Sequence, residues 1–81
     1  MRQIFRLTVT DMNCAQVYEQ RFETMGEAVQ MMRRLMASYR GVYLMRVFLR
    51  DTLVAWGTTE SARVCMAQNE DVMVIRRAIL G

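Results

Sequence analysis

Two thiols, Cys14 and Cys65, and eleven arginines are the first residues of this chain whose side chains could do chemistry. A thiol becomes a nucleophile when a neighbouring base or cation lowers its pKa. The chain contains no histidine, so the usual base is missing, as is the commonest metal ligand near neutral pH. Cys14 falls among the turn formers Asp11-Met12-Asn13, and Cys65 lies in the apolar context Val64-Cys65-Met66, so both read as small apolar residues. They suit neither a disulfide framework nor a zinc site, which needs paired ligands at close spacing. The four glycines are scattered singly, which leaves no phosphate-cradling loop. The expectation is a protein that is not an enzyme and uses no cofactor and no metal.

The arginines point towards binding. There is no lysine, and guanidinium forks grip carboxylate and phosphate in a bidentate way and stack on flat surfaces as an ammonium cannot. A compositional bias would produce the same count. The charge is uneven: residues 24–50 hold Arg33, Arg34, Arg40, Arg46 and Arg50 against Glu27 alone, so an anionic partner is expected to contact this central third.

Eighty-one residues suit a single domain near the lower end of what folds without help. The apolar share, 53%, exceeds the roughly 45–50% usual for a soluble domain. A rich core would account for the excess, and so would an apolar surface reserved for a partner or a second copy. The opening alternates apolar and polar residues and lacks the unbroken apolar core of a signal peptide. No apolar run is long enough to span a membrane, and a cytoplasmic location is expected.

The elements that must position these residues begin with a helix over about residues 25–40, the clearest in the chain. Thr24 and Glu27 make the capping-box spacing, and Gly41 stands where a left-handed C-terminal cap falls. Met25, Val29, Met32, Met36 and Tyr39, with Ala28 and Leu35, form its apolar stripe. Phe5, Leu7 and Val9 alternate with polar residues as a strand, and Ala15 to Phe22 returns alongside. Pairing Thr10 with Ala15 sets Arg6 opposite Glu19 and Leu7 opposite Tyr18. After the helix, Tyr43, Met45, Val47 and Leu49 make one face of a strand. A turn at Asp51-Thr52 leads into Leu53–Gly57, and pairing Arg50 with Leu53 puts Val54 and Trp56 on the core side. Residues 59–68 suit a short helix or a further strand, and capping signals favour a C-terminal helix over about 70–80, although Val72–Ile75 would equally suit a strand. The expected fold class is α+β: a single small domain with an antiparallel sheet in β-β-α-β-β order and the main helix on one face.

Two surfaces follow. If the helix covers Phe5, Leu7, Met45 and Val47, the opposite sheet face shows Arg6, Thr8, Leu44, Arg46 and Phe48, with Arg50 beyond. Such mixtures of aromatic and cation hold bases in single-stranded RNA-binding modules, but here the aromatic content is thin and no RNP-type motif is present. A C-terminal helix or a second subunit would also cover it. The other surface is the helix flank, where Arg33 and Arg40, seven residues apart, line up beside the apolar stripe and Arg34 projects opposite that stripe. Met31 lies off the apolar stripe and is the methionine expected to contact a partner. Arg6 is explained by Glu19.

The partner-binding residues expected are therefore Met31, Arg33, Arg34, Arg40, Arg46, Phe48 and Arg50. The favoured reading is a small protein-interaction module that docks on a host protein or nucleoprotein complex through arginine anchors around an apolar patch. Compact inhibitors from phages and mobile elements, anti-CRISPR proteins included, share the size and the β-β-α-β-β outline, an analogy of fold alone. The alternatives are direct, weak contact with RNA or DNA through the central basic segment, and a structural homodimer. No membrane partner is expected.

Overall fold

The computed structural model describes residues 3–67. Five strands and one helix follow in order: β1 (Phe5–Thr10), β2 (Gln16–Phe22), α1 (Met25–Ser38), β3 (Leu44–Leu49), β4 (Thr52–Thr58) and β5 (Cys65–Met66). The β-β-α-β-β order is as expected, and the ambiguous stretch after residue 58 supplies a two-residue fifth strand. The helix expected over 70–80 lies outside the described residues. The sheet order is β2-β1-β3-β4-β5, with every neighbouring pair antiparallel. β2 and β3 thus flank β1 and run parallel to each other, so α1 carries the chain across the face of β1.

Local chemistry sets the helix limits. Thr24 is extended and its Oγ1 accepts the Glu27 N–H at 3.2 Å, satisfying one of the orphan donors at the helix start. The other end departs from expectation. Tyr39, not Gly41, closes the helix with an extended backbone (φ −71°, ψ 134°), its N–H donating to the Leu35 carbonyl. Its ring packs against Tyr43 with centroids 4.8 Å apart, which accompanies the early exit of the chain from helical geometry. Gly41 supplies its positive φ (+113°) two residues later, in the bend towards β3.

The core lies between α1 and one sheet face. Phe5, Leu7 and Val9 of β1, Met45 and Val47 of β3 and Ala55 of β4 are buried against Ala28 and Met32. Leu35, Met36 and Tyr39 pack partly buried around them, as the apolar stripe requires. β4 is crowded on its core side: a β-carbon on Gly57 would lie 2.5 Å from the Arg63 carbonyl oxygen and collide with the Met36 side chain.

Two registers differ from those expected. In the first hairpin Arg6 pairs with Arg21, Leu7 with Gln20, Thr8 with Glu19 and Val9 with Tyr18, and the register shifts before Thr10 meets Gln16. The cause is a wider loop. Asp11 Oδ1 accepts the N–H groups of Asn13 and Ala15, and Cys14 takes a left-handed φ of 63°. The slip is two residues through the strand centre, so each side chain keeps its face. In the second hairpin the turn is Arg50-Asp51, with Arg50 at φ 57° and Leu49 paired with Thr52. Phe48 then pairs with Leu53, but Val47 pairs with Ala55, leaving Val54 as a bulge. Trp56 consequently lies opposite Arg46, on the face away from α1, and not on the core side. The reason is steric: the β4 positions beneath the helix are Ala55 and Gly57, where no indole fits.

Gly57→Ala should lower unfolding free energy by about 2–3 kcal/mol, an overpacking penalty against backbone. Gly26→Ala, with nothing within 4 Å of its added carbon, should raise it by roughly 0.5–1 kcal/mol. Urea denaturation of both variants checks the pair.

Candidate interaction surface

The sheet face away from α1 carries every second residue of each strand, and strand pairing arranges these in rows. One row crosses all five strands: Glu19, Thr8, Arg46, Trp56 and Cys65 are successive cross-strand partners. Beside it runs Arg21, Arg6, Phe48 and Leu53. The strand positions of these two rows therefore hold three arginines against one carboxylate.

Phe48 is the hub of the second row. The Arg6 Cζ stands 5.0 Å from its ring centroid and the Arg46 Cζ 5.4 Å, so two guanidiniums share one aromatic ring. Arg6 Nη1 also faces Glu19 Oε1 at 4.0 Å, the expected pair surviving as a diagonal after the register slip. The ion pair is partly exposed and worth little.

The first row is polar but unsatisfied. Thr8 is 2% exposed, and its Oγ1 has no hydrogen-bond partner. The Arg46 Nε and the Trp56 Nε1 are likewise buried without partners, and these three are neighbours on β1, β3 and β4. Burial pulls the Arg46 pKa below the ordinary arginine value; the Arg6 charge acts in the same direction and Cys14 against it. The group still carries its charge, since arginine does not deprotonate in proteins. Each buried N–H or hydroxyl left unmade costs about 1–3 kcal/mol, so this row is kept at the expense of stability.

Of the residues expected to bind a partner, the structure brings Arg46 and Phe48 together here. Arg33 and Arg34 are exposed on α1, beyond the other face of the sheet, and Arg40 is exposed just after it. Arg50 is exposed in the hairpin turn. Met31 is partly buried and packs on the core, beside a hollow lined by Phe22, Glu27, Gln30 and Arg34. Sequence reasoning placed Thr8 on this face without singling it out, put Trp56 on the core side and set Arg6 aside as a structural pair. A signal for Trp56 was present in the small residues on either side of it, Ala55 and Gly57, which claim the helix side.

Cys14 is exposed and Cys65 half-buried, both as free thiols. Among the described residues no group of three His, Cys, Asp or Glu side chains is placed to hold a metal ion, and no helix is long and apolar enough to cross a membrane. The hollow lined by Asp11, Met12, Val42, Tyr43, Leu44, Thr58 and Glu60 holds about 130 Å³ and the hollow beside Met31 about 310 Å³, the latter at the lower edge of the roughly 300–1,000 Å³ of small-molecule pockets. Compared with known protein families, with curated proteins and with solved structures, the chain matches none.

If the row is retained for binding, Arg46→Met should keep or raise stability. Loss of an unpartnered buried donor outweighs loss of a ring contact worth about 0.5–1 kcal/mol. A midpoint unchanged or up by a few degrees in thermal denaturation is expected, about 4–8 °C per kcal/mol in a domain of this size. A clear fall would make Arg46 a structural anchor.

Proposed function

We propose that this protein is a non-enzymatic interaction module that docks on a partner protein through the sheet face away from α1. Arg6, Arg46, Phe48 and Trp56 are its anchors. The observation that carries this reading is the row of three adjacent buried polar atoms without partners, on Thr8, Arg46 and Trp56. Natural folds satisfy nearly all such atoms, and a cluster of exceptions on one surface is what a missing partner leaves behind. Trp and Arg are also the residues that most often dominate interface energetics.

Within this reading, a compact inhibitor of the kind carried by phages and mobile elements, anti-CRISPR proteins among them, fits the size and element order. That part rests on architecture alone. A host protein or nucleoprotein is the corresponding target. Direct binding of nucleic acid is favoured by the charge of this face but disfavoured by Phe48, whose ring is engaged by two guanidiniums where a base would need it free. The helix arginines Arg33, Arg34 and Arg40 are assigned no part in docking.

A photo-crosslinking residue separates these readings. Benzoylphenylalanine replaces Arg21, exposed on the docking face, or Arg34, exposed on α1, in protein produced in its native cell. The position 21 variant is expected to give a discrete, nuclease-resistant protein adduct, and the position 34 variant none. A nuclease-sensitive adduct would install the nucleic-acid reading. A species at twice the 9.5 kDa chain mass would make the face a homodimer interface.

A further inference from the structure

The unsatisfied row also specifies the chemistry of what it recognises. We infer that the face holds a carboxylate from an acidic segment of the partner protein, which accepts jointly from the Arg46 Nε–H and the Trp56 Nε1–H; this rests on the docking face proposed above. Both nitrogens are donors only, and neither has anything to donate to. Thr8, 2% exposed beside Arg46, adds a hydroxyl that can donate as well. The Arg46 and Trp56 N–H groups therefore each lack an acceptor. Positive charge prevails among the described strand positions of the two rows: Arg6, Arg21 and Arg46 stand against Glu19, which pairs with Arg6 and accepts from Gln16 Nε2.

Geometry favours one compact acceptor. Arg46 and Trp56 are direct cross-strand partners, and side chains so placed start only about 4.5–5.5 Å apart at Cβ. One planar two-oxygen group can meet both N–H groups, as carboxylates do with the side of a guanidinium fork. A phosphodiester chain asks for something else: exposed cations along a groove and free ring faces for its bases. Here the central cation is half-buried and the Phe48 ring is already engaged. A carboxylate on a slender side chain suits this pair of donors better.

Both nitrogens are closed to solvent in the free protein, so a side chain of the face must swing aside to admit the ligand. Arg6 is the loosely held one. Its side chain is 37% exposed, and its ion pair with Glu19 spans 4.0 Å. An arriving carboxylate competes with Glu19 for Arg6 and uncovers the row as it binds.

The chain has one tryptophan, so its indole N–H gives a single resonance in a ¹⁵N–¹H correlation spectrum. The test titrates labelled protein with blocked hexaglutamate, with hexaglutamine and with an oligothymidylate of matched charge, at constant ionic strength. Hexaglutamate is expected to move the Trp56 indole proton downfield and shift the Arg46 Nε–H with the same midpoint, and hexaglutamine to move neither. Arg46→Gln and Trp56→Phe should each weaken hexaglutamate binding about tenfold, the loss expected of one charge-assisted hydrogen bond. Arg33→Gln with Arg40→Gln should leave it within about twofold, as for exposed charges. Oligothymidylate moving the indole in place of hexaglutamate would overturn the inference in favour of phosphate. An unmoved indole with every probe would overturn it too, while a position 21 adduct would show the docking face itself still standing. Hexaglutamate binding lost only in the Arg33/Arg40 variant would bring down the inference and the docking face together.

Discussion

One unpaired residue, Val54, sets the chemistry of both faces of the sheet. The two β4 positions on the core side must be small: Ala55 is fully buried, and a β-carbon on Gly57 would meet the tip of Met36 and the Arg63 backbone. The bulge at Val54 lets β4 meet that demand while β3 keeps Met45 and Val47 in the core. Its carbonyl accepts the Ala67 N–H, so the kink is tied to the end of β5. Trp56 is then forced to the far side, beside Arg46. Without the bulge an indole would stand under the helix and the far face would lose its largest side chain.

The two faces follow opposite rules. Against α1, side chains are apolar and buried, and capping at Thr24 satisfies the helix start. Across the sheet, Thr8 and Thr10 are buried hydroxyls, and one buried polar atom each on Thr8, Arg46 and Trp56 has no partner. Thr10 shows that the fold can satisfy a hydroxyl here, since its Oγ1 donates to the Leu44 carbonyl; Thr8, one pleat along, has no such outlet. A local breach of the packing rules amid elements that otherwise obey them is the mark of a surface selected for something besides stability.

Much of this architecture is legible in the residues. The apolar stripe of α1, its Thr24 cap and the alternation of β1 and β3 follow from period and capping chemistry, and the same alternation places Arg46 and Phe48 away from the helix. The turns are where reading fails. Arg50 and Cys14 adopt left-handed backbone, a role that glycine or asparagine would have announced. Val54 is an ordinary strand former and gives no sign of a bulge, and an inserted residue inverts every side chain beyond it. The helix arginines were conspicuous because they cluster in sequence. Arg6, Arg46 and Trp56 come together only through strand pairing, across some fifty residues of chain, so local patterns give the face of each but not their grouping.

The central claim is that Trp56 stands beside Arg46 on the face away from α1, and proton–proton Overhauser contacts from the Trp56 indole test it most directly. The account predicts contacts to the Arg46 side chain across the β3–β4 pair, and none to the Val47 methyls or to Met36. Contacts to the Val47 and Leu49 methyls would restore the unbulged register, return the indole to the core and dissolve the proposed binding row.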